Sequence, residues 1–324
     1  MPEFQLDDTD RRLLNILQTG FPLAGRPYLE IAGRLGVSEQ DVIQRVGVHR
    51  SSGLVREISA IFSTRRLGYR TTLVAMRLPA DRLDERAHIV SAHPGVSHNY
   101  AREGPFNLWF TLAVPPEGDL EAEVERLSER VASEATLSLP AIKVFKIGVH
   151  FDMVNEEPGA SGDRARAAPS DACQDCDGAP RLSARDIALV RELQEDLEPV
   201  PRPFDPVAQR LGLTVPELLE HAAGMKARGL MRRYGAVLRH REAGFTANAM
   251  VVWSVPPRRS EEVGTIMARF PAVSHCYQRA SREDWPYTHY TMIHAASRQR
   301  CEQIAGEIET ATGIGDRQSL YSTR

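Results

Sequence analysis

The chain repeats itself. LDDTDRRLLNILQTGFPLAGRPYLEIAGRLGVSEQDVIQRV, beginning at Leu6, is answered by LSARDIALVRELQEDLEPVPRPFDPVAQRLGLTVPELLEHA, beginning at Leu182, an offset of 176 positions. Asp10/Asp186, Leu17/Leu193, Arg26-Pro27/Arg202-Pro203, Leu35-Gly36/Leu211-Gly212 and Gly53-Leu54/Gly229-Leu230 all keep that spacing. Further on, Gly95-Val96-Ser97-His98-Asn99-Tyr100-Ala101-Arg102 matches Ala272-Val273-Ser274-His275-Cys276-Tyr277-Gln278-Arg279 at an offset of 177. A period this long means a duplicated domain rather than a solenoid. The 324 residues are enough for the several cores that a duplication requires. Between the copies, residues 152–181 are rich in Gly, Pro, Ala, Ser and Asp and read as a flexible linker.

Several function classes are disfavoured by composition. Forty basic residues against 43 acidic ones give a net charge of −3, without the basic excess usual in a dedicated nucleic-acid binder. No run approaches the roughly 18 to 20 apolar residues of a membrane span. The opening MPEFQLDDTDRRLL lacks a basic-then-apolar signal pattern, so a cytoplasmic location is expected. Cys173, Cys176, Cys276 and Cys301 are too few and too scattered for a disulfide framework, which fits a reducing compartment. Cys173 and Cys176 have metal-ligand spacing but no second pair nearby, so no metal site is expected.

Each copy reads as a helix-turn-helix followed by an α+β sandwich. In copy one Leu6, Leu13, Leu14 and Leu17 fall on one face of a first helix. Residues 28–35, the Gly36-Val37-Ser38 turn and residues 39–46 form the helix-turn-helix. After Gly53 the apolar period drops to two. Strands are expected at 54–64, 71–79, 96–102, 106–114 and 142–149, with helices at 81–93 and 120–135. From 71 onward the order is βαββαβ, the ferredoxin-like arrangement of an antiparallel sheet with helices on one face. Copy two repeats it through 247–255, 261–270, 272–280, 287–295, 298–312 and 317–322. The domains expected are helix-turn-helix 1–53, sandwich 54–151, linker 152–181, helix-turn-helix 182–229 and sandwich 230–324.

This architecture, with the opening LDDTDRRLLNILQ, resembles the Lrp/AsnC family of regulators. The segments GVSHNYAREGPFNLWFTL at 95–112, RRYGAVLRHREAGF at 232–245, AVSHCYQR at 272–279 and WPYTHYTMIH at 285–294 resemble one branch of it, the siroheme decarboxylases. Those are Lrp-like enzymes that work as a pair of related subunits, here fused into one polypeptide. The resemblance implies removal of carbon dioxide from two acetate arms of siroheme, giving didecarboxysiroheme, in haem d1 or alternative haem biosynthesis. It implies siroheme as the partner, with no cofactor beyond the iron the substrate carries. It leaves open a homo-oligomer and contact with other haem d1 pathway enzymes.

The residues themselves point to a polar site on a sheet face. Strand alternation puts His98, Tyr100 and Arg102 on one side and Ser97, Asn99 and Ala101 on the other. The same rule groups His275, Tyr277 and Arg279. A solvated sheet face is the plainer explanation of either set, but matching sets in two diverged copies favour a site. The preceding strands supply Arg56, Arg65 and Arg66 in copy one and Arg232, Arg233, Arg239, His240 and Arg241 in copy two. Guanidinium groups are always charged and grip carboxylates bidentately, as a polycarboxylate substrate requires. On the neighbouring strand copy two offers Tyr287 and His289 on one face, and copy one Asn107 and Trp109. His275 is the expected leading acid, although either His could instead ligate the siroheme iron.

Two rival functions remain at this point. A transcription regulator would have to push the second helix of each helix-turn-helix into an anionic groove. Glu39 and Asp41 in copy one, and Glu217 and Glu220 in copy two, oppose that, so DNA binding is not expected. A tetrapyrrole carrier would use the same Arg and His residues as the enzyme.

Overall fold

A computed structural model describes residues 6–148, 182–239 and 247–323. Copy one runs α1 (Asp8–Thr19), α2 (Pro27–Leu35), α3 (Glu39–Ser51), β1 (Val55–Phe62), β2 (Arg70–Arg77), α4 (Leu83–Ser91), β3 (Val96–Ala101), β4 (Leu108–Val114), α5 (Leu120–Arg130) and β5 (Ala135–Ile147). Copy two runs α6 (Ala184–Leu193), α7 (Asp205–Arg210), α8 (Val215–Ala227), β6 (Met231–Leu238), β7 (Ala247–Trp253), α9 (Ser260–Arg269), β8 (Val273–Arg279), β9 (His289–Ala295), α10 (Arg298–Thr312) and β10 (Arg317–Tyr321). The α+β class and the two repeats of helix-turn-helix plus ferredoxin-like βαββαβ are as the sequence indicates. Among the described residues no helix is long and apolar enough to cross a membrane.

The compact units follow element type, not copy. One gathers described residues of 6–67 and 182–239, the other those of 68–148 and 247–323. In the first unit β1 pairs antiparallel with β6. The expected sandwich boundary at 53–54 therefore differs from the observed break at 67–68, because β1 finds its hydrogen-bond partner in the other copy's β6 rather than in β2. The exchange is reinforced by side chains. Asp196, after α6, accepts from the Ile58 amide at 2.9 Å and pairs with Arg50. Gly235 of β6 lies so close to α1 that a Cβ there would sit 2.5 Å from the Leu17 carbonyl oxygen. Gly36 (φ 73°) and Gly212 (φ 64°) supply the left-handed residue that ends the first helix of each helix-turn-helix.

In the second unit eight antiparallel strands run β10-β7-β9-β8-β5-β2-β4-β3. The copies join where β5 of copy one pairs with β8 of copy two. At the far edges Arg102 bridges Ser322, with Glu103 N donating to Tyr321 O at 3.0 Å and Thr323 N to Ala101 O at 2.9 Å. Each closing strand thus meets the other copy's His-bearing strand. One core lies under α4 and α5 (Val74, Phe110, Leu112, Val124), a second under α9 and α10 (Val251, Trp253, Ile293, Ile304). A third, with Ala75, Trp109, Leu139, Val252, Trp285 and Tyr290, draws on both copies' opposite faces. Strand β5 begins seven residues before the expected 142, and α5 stops at Arg130. Ala132 has a φ of 44°, which breaks the helix, and Leu137 and Leu139 already alternate as a strand.

Candidate active site

The His, Tyr and Arg of each copy form a ladder on the sheet face turned away from the helices. Tyr100 sits opposite Trp109 and Tyr277 opposite Tyr290, whereas Asn99 and Cys276 turn toward the helices, as the Asn99 amide bond to Ala87 O on α4 shows. Directly opposed residues share a face. The imidazole of His98 stacks over Tyr100 with centroids 6.4 Å apart, and that of His275 over Tyr277 at 6.0 Å and 13°. The guanidinium carbon of Arg102 lies 5.2 Å from the Tyr100 ring. That of Arg279 lies 4.8 Å from Tyr277 and 5.6 Å from Tyr290. Such stacking holds a phenol in one orientation.

Exposure rises along each ladder from Arg to His. Arg102 and Arg279 are 4% and 9% exposed, and His98 is exposed while His275 is half-buried. The two guanidinium groups are committed to backbone. Arg102 donates to Leu320 O of β10 at 3.0 Å, and Arg279 donates to Leu139 O of β5. Each arginine therefore grips the closing strand of the other copy. Burial pushes the Arg102 cation down to about 10 and lowers that of Arg279 as well.

Two serines that alternation assigns to the other face join the site. On β3 Val96 faces Leu112 and His98 faces Thr111; on β8 Val273 faces Ile293 and His275 faces Met292. Ser97 and Ser274 are the extra residues of these slips, as in a β-bulge, which places neighbouring side chains on one side. Ser97 Oγ lies 3.0 Å from His98 Nδ1 and Ser274 Oγ 2.9 Å from His275 Nδ1. Strict alternation hid them. The recurrence of Val-Ser-His in both copies was the available signal.

An aromatic wall backs the copy-two ladder. Trp285 donates from Nε1 to Tyr290 Oη at 2.8 Å and stands edge-on to Phe106, with centroids 5.5 Å apart. It also meets Trp109 at 5.5 Å and Tyr287 at 4.9 Å. Burial raises the Tyr290 phenol to about 12.

The other expected site residues are more dispersed. Arg56, Arg65, Arg66, Arg232, Arg233 and Arg239 belong to the first unit, the ladders to the second. Arg56, Arg66, Arg232 and Arg239 are exposed, and Arg65 is half-buried. Arg233 is half-buried and donates to the carbonyls of Gln18 and Ala236. His240 and Arg241 lie outside the described residues. Asn107 clamps the Leu78 backbone, accepting from its N at 2.9 Å and donating to its O at 2.7 Å. Trp109 is buried in the shared core and donates to Phe106 O at 2.8 Å. Tyr287 and His289 do not share a face. The strand starts only at His289, which turns toward α9, 3.1 Å from Ser260 O, while Tyr287 packs on Trp285. Burial holds His289 neutral, its ring lowered to about 4. Cys173 and Cys176 lie outside the described residues, and burial raises the Cys276 and Cys301 thiols to about 12 and 11.

A hollow of about 840 Å³ lies beside α5, lined by Asp119, Glu121, Glu125, Glu129, Glu283 and Asp284 among others, and no ladder residue borders it. Its carboxylates repel a polyanion. Among the described residues no group of three or more His, Cys, Asp or Glu is arranged to hold a metal ion.

Comparison with known proteins decides the family. The model of the AsnC-like ligand binding domain matches residues 66–146 and 242–324, and that of the siroheme decarboxylase NirDL-like HTH domain matches 10–56 and 186–232. The siroheme decarboxylase of Hydrogenobacter thermophilus is 37% identical over 97% of this chain and 91% of its own. This chain belongs to the siroheme decarboxylase family. The NirDL subunit of the Paracoccus denitrificans siroheme decarboxylase is also 37% identical, over 98% of this chain and 95% of its own. The alpha subunit of the Desulfovibrio desulfuricans enzyme is 42% identical over 47% of this chain and 87% of its own. Siroheme decarboxylase halves that occur elsewhere as separate subunits are thus fused here. The crystal structure of the siroheme decarboxylase NirDL superposes with a TM-score of 0.72 at 33% identity, covering 98% of this chain and 91% of that one. A second structure holds that protein with an iron-uroporphyrin III analogue.

Proposed function

We propose that the chain converts siroheme to didecarboxysiroheme, as a step of haem d1 or alternative haem biosynthesis. The observation that carries this reading is the paired His-Tyr-Arg ladder, twice presented on the sheet face turned away from the helices. The carbon–carbon bond to an acetate carboxylate breaks, carbon dioxide leaves, and the electron pair passes into the macrocycle. The pigment is its own electron sink, so the reaction calls for no resident cofactor. A proton then converts the methylene carbon to methyl, and His275, stacked on Tyr277, is the donor. Tyr277 and Tyr100 orient the rings above them, held by Arg279 and Arg102. The apolar wall of Trp285 and Trp109 favours loss of the reacting carboxylate's charge as neutral carbon dioxide.

The helix-turn-helix pairs serve packing rather than DNA. Glu39 at the start of α3 pairs with Arg26, Asp41 with Arg45, and Glu217 of α8 closes a capping box on Thr214. The deciding experiment is anaerobic incubation with siroheme followed by mass analysis of the pigment. Loss of two carbon dioxide masses is expected. An unchanged mass with a shifted visible spectrum would make the protein a carrier, and tight sequence-selective DNA binding would make it a regulator.

A further inference from the structure

One row of side chains crosses four strands on the ladder face. Arg102, just past β3, bridges Ser322, just past β10. Ser322 N donates to Asn248 O of β7 at 3.3 Å, and Asn248 stands opposite His294 of β9. Residues directly opposed across strands share a face. The row is deep, with Arg102 and Asn248 only 4% and 7% exposed. Among the described residues three of its polar atoms are buried without a hydrogen-bond partner: Arg102 Nε, Ser322 Oγ and Asn248 Oδ1. Buried polar atoms almost always have a partner, so three orphans in one row call for a cause. Arg102 also lacks a countercharge. Its Nη1 donates to Leu320 O and its Nη2 lies 3.9 Å from Met292 Sδ, and no carboxylate among the described residues acts on it. A buried cation without an anion is costly, and water would satisfy its hydrogen bonds but not its charge. The other arginine shows what the row adds. Arg279 faces Ala141 where Arg102 faces Ser322, and in the place of Asn248 copy one has Thr71, opposite Ala113.

We propose that Arg102, Ser322 and Asn248 form a carboxylate-binding site on the ladder face beside His275. An amide turned through half a rotation presents Nδ2 in place of Oδ1, so Asn248 can donate. The Nε–H, the hydroxyl and the amide then offer three donors to one carboxylate, with the guanidinium as its countercharge. Met292, which touches Arg102, is directly opposite His275 on β8. A carboxylate held in the row therefore shares a face with the expected proton donor, with Met292 between them. The arginine comes from copy one, the hydroxyl and the amide from copy two, so the site needs both halves. That the carboxylate is an arm of siroheme rests on the decarboxylase reading; that the site takes a carboxylate does not.

Two probes test the site in the full chain: acetate, a free carboxylate, and iron uroporphyrin III, a polycarboxylate pigment. The Nε–H resonance of Arg102, assigned with Arg102→Lys, is followed by proton–nitrogen NMR. It is expected to shift when the pigment binds. A shift with acetate as well shows that a free carboxylate suffices, whereas a shift with the pigment alone shows that the carboxylate must arrive as an arm of it. Asn248→Leu should weaken pigment binding, read by visible titration, about 10–100-fold, as for loss of a hydrogen bond to a charged group. Its melting temperature should hold or rise, because an apolar group replaces a buried amide oxygen that had no partner. Thr71→Val, the matching change in copy one, should leave the affinity unaltered. An Arg102 resonance that neither probe moves overturns the proposal, as does an Asn248→Leu chain that binds the pigment with its original affinity. If that variant loses stability along with affinity, the Arg102 resonance of the unaltered protein decides. If siroheme is not decarboxylated while the resonance responds, the functional reading falls and the carboxylate site stands.

Discussion

Copy one and copy two carry the same ladder and back it differently. In copy one three residues, Glu103-Gly104-Pro105, separate Arg102 from Phe106; in copy two seven residues, 280–286, separate Arg279 from Tyr287. The longer loop delivers Trp285, which fills the shared core and bonds to Tyr290. Opposite the ladder tyrosines copy one has Trp109 and copy two Tyr290, and one place before each stand Leu108 and His289. Duplication has held the imidazole, phenol and guanidinium constant while the shell behind them diverged. The ladder side chains are shared between the halves, and what differs is the packing behind them.

That asymmetry can be attacked directly. The largest expected effect is on turnover. His275→Ala should lower kcat about 10²–10⁴-fold, the range for loss of a positioned general acid, with pigment binding retained. His98→Ala should lose less, and equal losses, read by mass analysis of siroheme turnover, would erase the distinction between the halves. Next comes the wall. Trp285→Ala should cost about 3–5 kcal/mol of unfolding free energy by urea titration, as expected for a large buried aromatic. A cost below about 1 kcal/mol would show that copy two gains no packing from its longer loop.

The smallest effect is a pH dependence from His289, whose place in copy one is taken by Leu108. His289 titrates near 4 when folded, below its ordinary value of 6.5. As pH falls, the unfolded chain takes up this proton first, so stability is full above about 6.5 and is lost progressively down to about 4. The loss amounts to about 3 kcal/mol. His289→Leu, which installs the residue copy one has, should flatten the fall in melting temperature between pH 7 and 5 (about 1–2 kcal/mol of that loss). An unaltered pH profile would assign the acid sensitivity elsewhere.

Much of this molecule was legible because local rules decided it. The repeat, the Gly36 and Gly212 turns and the βαββαβ order follow from spacing and turn chemistry alone. What stayed hidden depended on partners far along the chain. No local pattern says that β1 pairs with β6, or that Arg279 reaches Leu139. The ladder itself was readable by alternation, yet the same rule put Ser97 and Ser274 on the wrong side, because a one-residue slip in pairing leaves no mark on hydrophobic periodicity. His289 leaves the face of Tyr287 for a related reason: alternation does not carry past the end of the strand.

The reciprocal grip of Arg102 on Leu320 and of Arg279 on Leu139 has a genetic consequence. Each half completes the other's ladder, so a lesion in one closing strand removes a hydrogen-bond partner from its sister's arginine. Tethering two such interdependent halves guarantees equal dosage and raises their local concentration to roughly millimolar. Genes encoding separate halves must instead be matched in expression.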